Sequence, residues 1–414
     1  MNKRTLLLTF FLLIALVTVS GIGLQSAAER VAAQAPAASS VRAKIPFELN
    51  NKHIMLKAKV DGKPITFVLD TGDQVAIVDL DLARRMNLAL SGEVRVGGAG
   101  AAISTGSMVQ NASFTIDGLE GFSQPVRMAL PLGKVLSPRA GRSFEGIIGQ
   151  EFIQQFVVEI DYLAQVMTLH NKERFVYNGS GESVPIRLVN GHPVLEAEVT
   201  PAGSSGPLKG NFLFDIGASL ALALYSPFVA QNSLLGPEVK TIRSLGGAGA
   251  GGETTGQIGR VTELKIGNYK IKSPITLFSQ DKAGAFATDQ LAGNIGARVA
   301  NKFRVFLDYD RKRIIFEPNS TFALPYDHAQ SGMSVVAEGG DYRVFRIRAV
   351  LENSPASEAG LQKDDIITSV NNQAAAELTL SILNELFEHP VPYKLTIRRG
   401  EQTLQLTLTP RRLV

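Results

Sequence analysis

At 414 residues, with 45% apolar and 19% charged positions, the chain has material for two or three domains and is too apolar to be disordered. Its formal charge of +4 is small for this length, and no basic stretch is interleaved with aromatics, which argues against a nucleic-acid partner. Cysteine is absent, which excludes disulfides, thiol chemistry, Cys-ligated metals and a lipid anchor on a lipobox cysteine.

The N-terminus opens with Asn2-Lys3-Arg4, continues as an apolar run from Leu6 to Val19, and then turns to small residues. This is the layout of a secretory signal, with Ser26-Ala27-Ala28 and Ala33-Gln34-Ala35 as sites for a signal peptidase. The alternative is an uncleaved membrane tether through residues 5–24. Either way the folded part is expected outside the cytoplasm, with the shortness of the apolar core favouring cleavage. The stretch Gln25 to Ser40, rich in Ala, Gln and Ser, reads as a linker.

From Ile45 onward, short alternating apolar runs between turn signals indicate mainly β structure. Asp61-Gly62 between His53–Val60 and Pro64–Asp70 signals a tight hairpin, and a short helix is expected at Leu80–Met86. The passage 44–177 then recurs as 183–318. Phe67-Val68-Leu69-Asp70-Thr71-Gly72 matches Phe212-Leu213-Phe214-Asp215-Ile216-Gly217, and Gly97-Gly98-Ala99-Gly100 matches Gly246-Gly247-Ala248-Gly249. Gly146-Ile147-Ile148-Gly149 and Ile160-Asp161-Tyr162 match Gly293-Asn294-Ile295-Gly296 and Leu307-Asp308-Tyr309. A helix at Pro227–Ser233 corresponds to the one at Leu80–Met86, and hairpins are expected at Phe114–Gly118 and Glu263–Asn268.

The third unit, from about Pro325, reads as strands Met333–Ala337 and Val344–Val350, a helix at Ala356–Ala359, a strand at Ile366–Val370, a helix at Leu378–Phe387, and strands Tyr393–Arg398 and Thr403–Thr409. The five histidines (His53, His170, His192, His328, His389) have no paired ligand spacing, so no metal and no cofactor is expected and each reads as a surface or strand residue. The glycine runs lack the Lys-Ser/Thr of a phosphate loop, and Gly203-Ser204-Ser205-Gly206 does not fit a nucleophile elbow.

An Asp-Thr-Gly triplet alone usually ends a strand in a turn. Here each aspartate ends an apolar strand, and the motif recurs with its glycine run and its later Gly segment at matched distances. One carboxylate per copy allows two to meet across a pseudo-twofold axis. On these motifs the two copies resemble the lobes of bacterial retropepsin-like aspartic peptidases, over about two thirds of the chain. The resemblance implies that Asp70 and Asp215 form the catalytic dyad and share one proton, one acting as base on a water while the other polarises the scissile carbonyl. It implies substrate contacts at Thr71, Gly72, Asp73, Ile216 and Gly217, and flaps carrying Gly98, Gly100, Gly247 and Gly249. It also implies segments packed behind the aspartates at Ile147-Ile148-Gly149 and Asn294-Ile295-Gly296.

Two departures stand out. Such families carry Thr or Ser after each aspartate to brace the pair; Thr71 fits, whereas Ile216 has no hydroxyl. Asp73 occupies a position that is small in the second copy, Ala218, and adds a third carboxylate. It is expected either to raise the dyad's proton affinity and move activity to lower pH, or to face solvent or pair with Arg84 or Arg85.

Ser354-Pro355-Ala356 followed by Ala359-Gly360-Leu361 and Asp365-Ile366-Ile367 resembles the PDZ domains of bacterial envelope proteases. By that resemblance Gly332, Met333, Ser334 and Val335 form the loop and strand that hold a peptide C-terminus or internal segment, and Leu378–Phe387 lines the groove. Ser334 stands where a second glycine is common.

The expected fold is mainly β: a signal peptide or anchor plus linker (1–35), two pseudo-symmetric β lobes (36–180 and 181–324) and a small α+β PDZ domain (325–414). The expected function is that of an exported aspartic endopeptidase acting on proteins or peptides, monomeric because one chain carries both lobes, in a bacterial periplasm or envelope. The alternatives are a peptide-binding scaffold that keeps the fold without catalysis, and a PDZ docking protein whose lobes are structural.

Overall fold

Asp61 and Gly62 both adopt positive φ, 47° and 79°, so the chain reverses within two residues and His53–Val60 pairs antiparallel with Lys63–Leu69. The computed structural model describes residues 39–204, 206–245, 247–326 and 330–414. The leader, most of the linker, Gly246 and His328 lie outside them. Among the described residues no helix is long and apolar enough to cross a membrane.

On its other side Lys63–Leu69 runs parallel to Gly146–Ile148, with Ile147 opposite Val68 and Ile148 opposite Leu69. Both faces of this strand end are buried, which is why Phe67, Val68 and Leu69 form an unbroken apolar run. The Asp70 amide donates to the Ile148 carbonyl at 3.0 Å and fixes where the strand stops. The second copy repeats the arrangement. His192–Thr200 pairs antiparallel with Leu208–Asp215, which runs parallel to Gly293–Gly296 with Asp215 opposite Gly296.

Helix α1 (Leu80–Arg85) follows the first aspartate strand and is capped by the Asp79 carboxylate, which accepts from the Leu82 amide at 2.9 Å. Helix α2 (Leu132–Ala140), which no sequence pattern indicated, follows in the first copy; α3 (Ser226–Gln231) is the counterpart of α1. Glu263–Ile266 and Tyr269–Lys272 make the expected tight hairpin. Its first-copy counterpart is looser: Ser113–Ile116 pairs with Gln124–Pro125 across a longer loop.

The closing segments of the two copies pair with each other. Val157–Asp161 lies antiparallel to Phe303–Asp308, with Val158 opposite Leu307 and Asp161 opposite Arg304. Val166–His170 and then Val41–Pro46 extend this ladder on one side, Arg313–Pro318 and Glu182–Val189 on the other. Each copy thus supplies three strands to this six-strand stretch, and the sheet continues from Glu182–Val189 into His192–Thr200 and the rest of the second copy. Fully buried Phe67, Phe114 and Phe152 from the first copy and Phe212, Phe214, Phe303 and Phe316 from the second belong to one continuous core.

The C-terminal unit has a separate core around Phe345, Ile347, Leu383, Leu395 and Ile397. Its sheet runs Met333–Glu338, Val344–Val350, Ile366–Val370, Tyr393–Arg399 and Gln402–Leu408, leaving Met333–Glu338 at the edge. Helix α4 (Leu380–Leu386), capped by the Thr379 hydroxyl, is shorter than the expected Leu378–Phe387 because a 3₁₀ turn, Ala375–Glu377, leads into it.

Candidate active site

The two aspartate strands end facing each other, and the carboxyl groups of Asp70 and Asp215 lie side by side: a Cβ on Gly72 would be 3.1 Å from Asp70 Oδ1 and 3.0 Å from Asp215 Oδ1. Both residues are half-buried. The Gly72 amide donates to Asp70 Oδ1 at 2.6 Å. The Gly217 and Ala218 amides donate to Asp215 Oδ1 at 3.0 and 3.1 Å, and Asn294 Nδ2 donates to Asp215 Oδ2 at 2.7 Å. The Tyr225 hydroxyl donates in turn to Asn294 Oδ1, fixing that amide's orientation. Glycine is required beside the pair: a Cβ on Gly217 would sit 2.0 Å from Asp70 Cγ, and one on Gly72 would sit 3.0 Å from Asp215 Oδ1.

One hydroxyl braces the pair. Buried Thr71 donates its Oγ1 proton to the Phe214 carbonyl at 2.6 Å and accepts from the Ile216 amide at 3.0 Å. The equivalent side chain, Ile216, is fully buried and apolar, so the brace is one-sided. Gln150 Nε2 donates to the Thr71 carbonyl at 2.5 Å from behind.

Burial and the facing Asp70 carboxylate push Asp215 well above the ordinary carboxylate range. Burial raises Asp70 too, opposed by the Gly72 amide and by the imidazoles of His53 and His192. The retained proton belongs to the pair. Burial, then the charge of Asp70, pushes Asp73 up to about 8. Arg84 is engaged with Asp81 at 3.1 Å, and Asp73 instead faces the dyad. The expectation of a shift to lower pH has the wrong sign. The Asp73 carboxyl raises the pKa of Asp215, the direction opposite to a shift toward lower pH.

His53 and His192 open matched strands and lie beside Asp70, a role the sequence reading did not give them. His53 Nε2 is 2.9 Å from the Gly217 carbonyl, across the axis. Burial lowers its pKa against the opposing pull of Asp70. The signal was present: both histidines occupy the same place in the duplicated hairpin.

The glycine runs form the tips of two hairpins that meet. The first, between Ala89–Val96 and Ser104–Gln110, touches the second, built on Ile242–Arg243 and Gly256–Arg260. The Gly251 amide donates to the Ala99 carbonyl at 2.9 Å, and the Ala102 amide to the Gly251 carbonyl at 2.8 Å. Gly100, at φ +95°, leaves only 2.4 Å between a Cβ and the Gly251 carbonyl oxygen. Gly98 and Gly249 likewise lie at this contact, against Ala250 and Ala99, and Gly247 packs beside Thr254. Among the described residues no cluster of His, Asp or Glu could hold a metal ion.

In the C-terminal unit Gly332 takes φ +76°, and a Cβ there would lie 2.2 Å from Ser354 Cβ, so the turn before the edge strand requires glycine. Met333, Ser334 and Val335 begin that strand, which carries a bulge between Ser334 and Val335.

Residues 56–152 match the family model described as aspartyl protease, and residues 346–391 match that of the PDZ domain. No curated protein matches the chain. Among solved structures, the photosystem II D1 C-terminal processing protease is 21% identical over 22% of this chain and 24% of its own, with a TM-score of 0.20. The chain therefore spans about a quarter of that protease. The HtrA3 PDZ domain bound to a phage-derived ligand is 24% identical over 20% of this chain and 85% of its own, with a TM-score of 0.19. Neither alignment extends to a shared overall fold. The family matches and the mainly β architecture agree: one mainly β chain carries an aspartyl-protease match over residues 56–152 and a PDZ match over residues 346–391.

Proposed function

We propose that the chain is an aspartic endopeptidase in which Asp70 and Asp215 activate a water molecule and the PDZ domain binds substrate or partner peptides. The observation that carries this reading is the adjacent carboxyl pair, presented by matched strands and held by backbone amides, Asn294 and the Thr71 brace. In the reaction the ionised member takes a proton from water as it attacks the scissile carbonyl. The protonated member donates to the carbonyl oxygen, and no covalent enzyme intermediate forms. Gly72, Asp73 and Gly217 would border the substrate, with Gly98, Gly100, Gly247 and Gly249 in flaps closing over it, whereas Thr71 and Ile216, expected at the same border, are fully buried and brace the pair from behind.

The reading extends to a protein exported by its leader, working as a monomer outside the cytoplasm, with lobes over 36–180 and 181–324. Digestion of unfolded casein across pH 3–7 tests it, with Asp70→Asn and Asp215→Asn as controls: cleavage by the parent and none by either variant is expected. Ile216, which leaves the brace one-sided, favours a second reading, a peptide-binding scaffold without catalysis. No cleavage at any pH, with peptide still bound, would select it.

A further inference from the structure

The two copies differ in the strand that packs beside each aspartate. In the first copy Gly146–Ile148 places Ile147 opposite Val68 and Ile77, and its side chain joins an apolar cluster with Phe144 and Leu130 that offers Asp70 no hydrogen bond. The matched strand of the second copy, Gly293–Gly296, carries Asn294 at that place, opposite Leu213 and Ala223. Asn294 is buried, 3% exposed, and its Nδ2 donates to Asp215 Oδ2 at 2.7 Å. The group that orients it, Tyr225, stands where the first copy has Leu80.

The Tyr225 ring stacks on Phe286 at 5.1 Å, and burial pushes its phenol up, so the hydroxyl keeps its proton and donates to Asn294 Oδ1. With Oδ1 so engaged, Asn294 presents its Nδ2 hydrogens to Asp215. Among the described residues Asp215 therefore accepts three N–H groups, from Gly217, Ala218 and Asn294, whereas Asp70 accepts one, from Gly72. Such donors favour the ionised carboxylate. Two influences oppose them: burial beside Asp70 and Asp73 raises Asp215, and His53 and His192 draw charge toward Asp70. Burial is common to both members, and the imidazoles act on Asp70 through space, while the Asn294 amide touches the carboxyl it stabilises.

We propose that Asn294, oriented by Tyr225, is a positioning residue of the reaction: it holds Asp215 Oδ2 as an acceptor, so that Asp215 is the base and Asp70 carries the pair's proton. This rests on the endopeptidase reading and divides the chemistry between the two halves of the pair. Water gives a proton to Asp215 as its oxygen bonds to the scissile carbonyl carbon. The π pair of that carbonyl moves onto its oxygen, which takes the Asp70 proton. The product is a neutral gem-diol, and the pair still holds one proton, now on Asp215.

The test is a carbon NMR titration of the full chain, labelled at the aspartate carboxyls, with the two signals identified in Asp70→Asn and Asp215→Asn chains. Asp215 is expected to ionise in the first step of the pair. Asn294→Leu should raise the pH of that step by about one unit, the size of a hydrogen bond to a charged group, and Tyr225→Phe should raise it by less. The acidic limb of casein cleavage should move up with it. The other titratable groups facing the pair, Asp73, His53 and His192, are the same in parent and variants, so the difference isolates the amide. Asp70 ionising first, or a first step unmoved or lowered in Asn294→Leu, overturns the proposal. If Asn294→Leu does not fold, Tyr225→Phe decides by the same signs. A parent chain that cleaves no casein at any pH overturns the endopeptidase reading, whereas the titration scores the Asn294 contact without any cleavage.

Discussion

Thr71 does two jobs with one hydroxyl, and neither partner has a substitute. Replacing it with valine leaves the Phe214 carbonyl and the Ile216 amide buried without a bond, a loss of roughly 2–4 kcal/mol at the usual cost of orphaned buried groups. Urea denaturation should show that loss for Thr71→Val, and Thr71→Ser should recover most of it. Asp73 makes a pH-dependent contribution. Its folded pKa, about 8, lies far above the ordinary aspartate value of 3.8, so the stability it lends is complete below that value and is lost as pH rises through 8. Asp73→Asn should therefore raise the melting temperature relative to the parent more at pH 8 than at pH 4. At this scale the sequence disclosed the aspartates and the missing hydroxyl at Ile216, because both stand in a repeated line. It hid the sign of the Asp73 effect and the placement of His53, which depend on what surrounds each side chain.

Among the elements, the flaps are the most exacting. The first tip approaches the second so closely that Gly100 has no room for a methyl group, and its positive φ disfavours any other residue. Gly100→Ala should lower cleavage of a peptide substrate at least ten-fold while lowering the melting temperature only modestly, because the tip packs through Ala99 on the small cluster of Ala223, Tyr225, Leu277 and Phe286 and not on the main core; steady-state kinetics and a thermal melt together check this. The glycine runs, the Asp61-Gly62 turn and the strands of the C-terminal unit were legible because turn chemistry and period-two alternation are local. Helix α2 was not. It has nine residues, contains Pro138, and buries only Leu132, Ser137 and Ala140, so no helical stripe appears in the sequence. Its stability comes from what it packs against, including the C-terminal unit at Leu380.

Across the whole molecule, charge links units that lie far apart in sequence. Glu253, on the second flap, accepts from Arg139 of α2 at 3.3 Å and from Arg348 of the PDZ domain. Arg298 and Glu388 pair at 2.8 Å between the second copy and the end of α4. These contacts required the assembled molecule and could not be read from spacing. The shared sheet has a further consequence. Its central junction, Val158 opposite Leu307, joins the closing strands of the two copies, and the chain crosses between copies only once. Two molecules can therefore trade halves during refolding without losing a single ladder bond. If they do, Asp70→Asn and Asp215→Asn chains, each inert alone, should regain part of the parent's casein cleavage when denatured together and refolded as a mixture, since one hybrid site in each exchanged pair would carry both native aspartates.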